Sequence, residues 1–223
     1  MLANNNMASP SAILFDLDGT LLDTARDLGN ALNQVLTTYE RPECPFSKYR
    51  NIASDGAKGL LELGFADELK DFDYTVLRQQ FLDFYEQNIC VDTTLFTGVE
   101  HLLESLNQVN IPWGIVTNKP GWLTDLLLPN FAIFEHSQIV ISGDTLPQRK
   151  PHPLPLIHAA KQLNVAADQT WYVGDAERDI EAANAANMYS VLARYGYIDA
   201  HHHTASWNAD LEIINAEMLL DHI

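Results

Sequence analysis

The chain has 223 residues, 47% hydrophobic and 19% charged, a balance ordinary for a globular protein with one good core or a core plus a smaller insert. Its formal net charge of -17 argues against nucleic acid and anionic membranes as partners, because both demand basic footprints. Cys44 and Cys90 form no metal-binding or disulfide pattern and are read as reduced thiols of a cytoplasmic protein.

No apolar run approaches the length of a membrane span, and the N-terminus has no signal-peptide hydrophobic region. Residues 1–6 are polar and expected to fray, and Met7 is an alternative to Met1 as the start. His201, His202 and His203 read as a solvated loop, with no metal assigned to them.

The first expected element is the apolar run Ala12-Ile13-Leu14-Phe15, which leads directly into Asp16-Leu17-Asp18-Gly19-Thr20. Side chains at i and i+2 of an extended strand share a face, so Asp16 and Asp18 can converge on one point. Carboxylates this close repel unless a cation or a proton lies between them, which points to a hard metal ion and acid–base chemistry.

Residues 23–94 then read as helix throughout, with periodic apolar residues over 25–39, 56–64, 65–71 and 74–88. So long a helical segment is too structured for a loop, and it is read as an inserted cap domain spanning 23–94. Residues 8–22 and 95–223 are then the core domain. Within the insert, Ser54, Gly56 and Lys58 put a small polar residue, a glycine and a base near a helix start.

Downstream, short apolar runs end at Thr117, Ser142 and Asp175, with a weaker one over 189–193. Helical patterns over 99–109, 121–128, 154–163 and 177–186 separate them. This alternation predicts an α/β fold, a Rossmann-like doubly wound parallel sheet with helices on both faces. Ligands of such sheets bind beyond the carboxyl ends of the strands, where the chemically useful residues fall. Thr117 and Asn118 end one strand, Lys150 precedes two near-adjacent prolines that restrict its backbone, and Asp175 and Asp179 follow another strand.

Taken together, the string Phe15-Asp16-Leu17-Asp18-Gly19-Thr20-Leu21-Leu22-Asp23-Thr24, then Thr117, Lys150-Pro151-His152-Pro153 and Gly174-Asp175-x-x-x-Asp179 resemble the four motifs of the haloacid dehalogenase superfamily. The helical insert resembles the cap of its phosphoglycolate phosphatase group, and its segment 50–59 resembles the substrate loop of that group, which implies that Ser54, Gly56 and Lys58 contact substrate; an ordinary solvated helix lysine is the equal alternative for Lys58. That resemblance implies a phosphatase with Asp16 as nucleophile and Asp18 as general acid and base. It also implies phosphate binding by Thr117, Asn118 and Lys150, and a magnesium ion held by Asp16, Asp18 and Asp175. Asp179 would act behind these ligands through water, or else stabilise the first turn of its helix.

An acid at position 18 implies ester hydrolysis rather than the ATPase chemistry of members that lack it, and the metal–phosphate set argues against dehalogenation. The segments Tyr195-Gly196-Tyr197 and Trp207-Asn208-Ala209-Asp210 further resemble the branch acting on N-acetylmuramic acid 6-phosphate, although these aromatics could simply cover the sheet edge. The alternatives are a phosphoglycolate phosphatase, a broad sugar-phosphate phosphatase, and a catalytically silent phosphate-binding protein on the same fold. The expected partner is a small phosphorylated metabolite, and the chain is read as a monomer or homodimer.

Overall fold

The structure, a computed structural model, describes residues 9–198 and 203–223. The expectations for residues 1–6, Met7, His201 and His202, and residue 8 of the expected core, lie outside the described residues.

The first strand, β1 (Ala12–Phe15), is buried along its whole length, which marks a central position in a sheet. A second, two-residue strand β2 (Leu22–Asp23) leads straight into helix α1 (Ala25–Thr38). After it come the short helix α2 (Phe46–Tyr49), a 3-10 turn over Arg50–Asp55, α3 (Gly56–Phe65), another 3-10 turn over Ala66–Asp71, and α4 (Tyr74–Gln87). The helix expected over 65–71 is thus a 3-10 turn, because Ala66 adopts φ 49° and breaks the α-helical path after Phe65. Helix α4 starts cleanly because the Asp73 carboxylate accepts the Thr75 and Val76 N–H groups at 2.8 and 3.4 Å.

The chain returns through β3 (Thr94–Leu95) and continues as α5 (Val99–Gln108), β4 (Trp113–Val116), α6 (Gly121–Leu127) and β5 (Val140–Ile141). It ends with α7 (Leu154–Gln162), β6 (Thr170–Gly174), α8 (Glu177–Ala185), β7 (Tyr189–Ala193), β8 (Leu211–Ile213) and a 3-10 turn over Ala216–His222. Six strands form one parallel sheet in the order β5-β4-β1-β6-β7-β8, the expected α/β architecture. Edge strand β8 was not anticipated, since a three-residue strand is too short to show a period. Among the described residues no helix is long and apolar enough to cross a membrane.

Alternation along β1 divides the core. Ile13 and Phe15 pack with Leu102, Leu103 and Leu106 of α5 on one face, whereas Leu14 packs with Leu156 of α7 and Ala182 of α8 on the other. A further cluster joins α1, α3 and α4 through Leu32, Val35, Leu60, Phe65, Leu77 and Phe81, and it also takes in Leu123 of α6 and Tyr197.

This helical layer leaves the sheet and returns to it side by side, because β2 and β3 pair antiparallel, Leu22 with Leu95 and Asp23 with Thr94. Buried Asp27 of α1 reinforces the junction by accepting N–H groups from Val91, Asp92 and Thr93 and the Thr93 hydroxyl, the last at 2.6 Å. Because β1 pairs with β4 on one side and β6 on the other, the carboxyl ends of these three strands meet at the crevice where the sheet changes winding direction.

Candidate active site

Asp16 follows β1 directly, and its N–H donates to the Val173 carbonyl on β6 at 2.9 Å, so the sheet itself sets its position. Leu17 is fully buried. The loop then turns through Gly19 at φ +89°, where a Cβ would sit 2.2 Å from Asp175 Oδ2. No side chain fits there, and the close approach brings the first and last strand ends of the site together.

The carboxylates of Asp16, Asp175 and Asp179 are all buried, and an oxygen of each lies within 4.8 Å of the others. Lys150 reaches into this cluster with a completely buried side chain. Its Nζ donates to Asp16 Oδ1 at 2.9 Å, Asp179 Oδ1 at 2.8 Å and the Tyr172 hydroxyl at 2.6 Å. Tyr172 in turn donates to the Val116 carbonyl at 2.8 Å, which locks the base of the site to β4. Asn118 holds the lysine's backbone from both sides, its Oδ1 accepting the Lys150 N–H at 3.1 Å and its Nδ2 donating to the Lys150 carbonyl at 2.9 Å. Both polar atoms of the Asn118 amide are thus engaged with the Lys150 backbone.

Burial dominates the electrostatics. It raises the Asp16 carboxyl above its ordinary value, with Lys150 pulling the other way. Asp175 is pushed up to about 7 by burial first and then by the neighbouring charges of Asp179 and Asp16. Burial also works against ionised Asp179, yet Lys150 and Arg178 outweigh it and hold that carboxyl below its usual value. Asp179 Oδ2 also accepts the Ala176 N–H at 3.0 Å at the start of α8, while its Oδ1 takes the Lys150 ammonium.

Asp18 points away from this cluster and toward the helical layer, so its carboxylate does not converge with that of Asp16 as the i, i+2 spacing predicts, because the extended strand ends at Phe15. It accepts the Thr24 hydroxyl at 2.7 Å, and Lys119 Nζ donates to its Oδ1 and Oδ2 at 3.1 and 3.3 Å. The same ammonium donates to the Tyr85 hydroxyl of α4 at 2.9 Å. Lys119 and Tyr85 escaped the sequence reading. Lys119 carried a usable signal, since it lies two residues beyond Thr117 at a strand end in an acidic chain, whereas Tyr85 carried none beyond helical spacing. Thr117 Oγ1 accepts the Lys119 N–H at 3.1 Å and so shapes the turn that aims that lysine.

Of the three candidates on the insert, Ser54 reaches the acidic cluster, donating to Asp175 Oδ2 at 2.8 Å beside the Tyr197 N–H at 2.9 Å. Arg178 secures the same turn through the Ser54 carbonyl at 2.7 Å and Asp55 Oδ1 at 3.2 Å, and Arg50 donates to the Gly196 carbonyl at 3.1 Å. Gly56 and Lys58 instead line a cavity of about 550 Å³ between α4, α6 and the loop of Asp18. The Lys58 side chain is largely solvated and lies 3.9 Å from Glu62. Tyr197, weighed as a cover for the sheet edge, accepts the Thr24 N–H at 2.7 Å and donates to Asp23 Oδ1 at 3.0 Å at the foot of the helical layer.

A buried acid after the first strand, a lysine clamped on it, a third acid after another strand and a helical cover define a hydrolase of the phosphoryl-transfer kind. The chain belongs to the haloacid dehalogenase-like hydrolase family, whose sequence model matches residues 13–193, and it is a phosphoric monoester hydrolase. Over 205 residues it is 44% identical to a phosphoglycolate phosphatase of Xanthomonas campestris, with 92% of each chain covered. It is 35% identical to an N-acetylmuramic acid 6-phosphate phosphatase of Pseudomonas putida, with 91% of each covered. The crystal structure of a predicted phosphoglycolate phosphatase from Haemophilus somnus superposes with a TM-score of 0.86 at 27% identity, over 97% of this chain and 100% of that one.

Proposed function

We propose that this chain is a magnesium-dependent phosphatase that cleaves N-acetylmuramic acid 6-phosphate through a phosphoaspartate on Asp16. The observation that carries the reaction type is the Lys150 ammonium, 2.9 Å from Asp16 and 2.8 Å from Asp179. It holds a buried carboxylate in one orientation and places positive charge where a phosphoryl group would sit.

The donor set suits magnesium. Three buried carboxylates gather there, two of them, Asp16 and Asp179, paired with the Lys150 ammonium, and the ligand atoms they offer are hard oxygens. The Asp16 and Asp175 carboxylates and the Asp18 backbone carbonyl would hold the ion. When bound, it supplies positive charge to a phosphate oxygen.

The protein's own residues then divide the work. An Asp16 oxygen attacks phosphorus, and the bond from phosphorus to the ester oxygen breaks. Protonated Asp18 gives its proton to that oxygen, so the alcohol leaves neutral. A water then attacks the phosphoaspartate and yields a proton to Asp18, which releases inorganic phosphate and restores Asp16. Thr117 and Lys150 donate to the equatorial oxygens. Lys119 and Thr24 position the Asp18 carboxylate between turnovers. The helical layer excludes water from the reacting atoms.

Support for the muramic acid ester comes from the 550 Å³ cavity beside Asp18, which has room for an amino-sugar leaving group, and from the relatives of that name. Phosphoglycolate is the second reading, favoured by the relative at 44% identity. Either substrate is a small metabolite, in keeping with a cytoplasmic enzyme. Phosphate release from N-acetylmuramic acid 6-phosphate, 2-phosphoglycolate and glucose 6-phosphate, with magnesium and then with chelator, tests both. A preference of about a hundredfold in kcat/KM for the first corresponds to about 2.7 kcal/mol and upholds the proposal. Equal rates overturn the substrate assignment, and undiminished turnover in chelator overturns the metal.

A further inference from the structure

The cavity beside Asp18 has a charge balance opposite to that of the chain. Of the 13 Lys and Arg residues, four line it, namely Lys58, Arg78, Lys119 and Arg149, whereas only Asp18 and Asp144 of the 30 acids do. In a protein of net charge -17, a scattered distribution would give the reverse. Two of the four cations are already engaged. Lys119 is committed to Asp18 and Tyr85, and Lys58 lies along the rim beside Glu62. Asp144 accepts the Gly121 N–H at 2.9 Å.

Arg78 and Arg149 remain. Neither takes part in an ion pair among the described residues, and they reach the cavity from different elements, Arg78 from α4 and Arg149 from the loop that carries Lys150. The phosphoryl group is provided for by Lys150 at the acidic cluster, so these two guanidinium groups answer to something else. Apolar surface from Phe81, Trp122 and Leu123 lines the same space. A planar guanidinium fork pairs in bidentate fashion with a planar carboxylate.

We infer that Arg78 and Arg149 are specificity-determining residues that bind a carboxylate on the leaving group, so that the preferred substrates are phosphate esters of acids rather than of neutral alcohols. The inference rests on the phosphatase reading above, and it assigns to two residues a selection that the catalytic cluster cannot make. The leaving group enters the cavity with its carboxylate between the two arginines and its ester oxygen toward Asp18.

The test compares 6-phosphogluconate with glucitol 6-phosphate, which share a six-carbon chain and differ at one end in carboxylate against alcohol. Both are assayed on the full chain with magnesium, beside p-nitrophenyl phosphate as a measure of the phosphoryl chemistry alone. The expected result is a kcat/KM at least about tenfold higher for the acid, carried mainly in KM, with that ratio falling toward unity in Arg78→Gln and in Arg149→Gln. Both arginines are exposed, so the variants are expected to fold, and their melting curves confirm it. A ratio near one in the parent enzyme overturns the inference, as does a high ratio that neither substitution lowers. Absence of phosphate release from all three esters overturns the phosphatase reading instead, and the inference with it.

Discussion

Lys119 Nζ lies 3.1 Å from Asp18 Oδ1 and 2.9 Å from the Tyr85 hydroxyl, so one buried ammonium joins the loop after β1 to a helix of the layer above it. Bonds to charged groups of this kind contribute about 1.5–3 kcal/mol. Lys119→Met is expected to lower kcat/KM by about tenfold or more, because Asp18 loses the partner that orients it. Asp18 keeps the Thr24 hydroxyl, so the melting temperature should move by only a few degrees. Unchanged turnover in this variant would show that Lys119 does not position the acid.

Asp16→Asn removes the charge of the proposed nucleophile while leaving the shape of the site nearly unaltered. Phosphate release should fall to background for every ester tested. The substitution also relieves a buried carboxylate whose ionisation burial disfavours, so the folded protein should be at least as stable as the parent. Measurable turnover at the parent rate would place the nucleophile elsewhere.

Lys150→Met leaves Asp16 and Asp179 facing each other without their shared cation. Removing one partner of a buried ion pair costs about 3–5 kcal/mol. Urea unfolding near neutral pH should reveal a loss of that order together with loss of activity. A variant as stable as the parent would contradict the burial argument.

Magnesium should stabilise the protein in a pH-dependent manner. Burial, with the charges of Asp179 and Asp16, pushes the folded Asp175 carboxyl up to about 7 from its ordinary 3.8. Between those values the folded chain holds a proton that the unfolded chain has lost, so this group's contribution to stability in the metal-free protein falls as pH rises. Magnesium favours the ionised carboxylate and reverses that effect. Thermal melts should show a larger rise on adding magnesium at about pH 8 than at about pH 5.5. An equal rise at both would remove Asp175 from the metal site.

Gly196→Ala probes the crowding around Asp175. An added Cβ would lie 2.4 Å from the Gly19 carbonyl oxygen, a backbone atom that cannot swing aside, and 2.4 Å from the Asp175 Cβ. Displacement of the loop after β1 should lower kcat by more than about tenfold. Parent-like kinetics would mean that the two strand ends are free to separate.

Much of this architecture was legible in the sequence because it depends on local rules. The strand leading to Asp16 and the helices at α5, α7 and α8 follow from period and punctuation, whereas Lys150 and Asp175 stood out through the motif resemblance. Neighbours brought close by chain reversal were not legible. Nothing local indicates that Ser54 will meet Asp175, 121 residues away, or that Tyr85 will meet Lys119. Arg178 reads as a plain helix residue until the turn over Arg50–Asp55 folds down upon it. Over Ala66–Asp71 the apolar spacing predicts α-helix where a 3-10 turn forms, because that spacing does not report the positive φ at Ala66.

The paired strands β2 and β3, with the Asp27 carboxylate binding residues 91–93, make the helical layer a cassette whose two ends stand one strand spacing apart, about 4.8 Å. Because the layer is stitched in at a single seam, a different set of helices could replace it without redrawing the sheet, provided its own ends met the same narrow gap. The choice of alcohol could thus be exchanged over evolution while the phosphorus chemistry below was inherited unaltered.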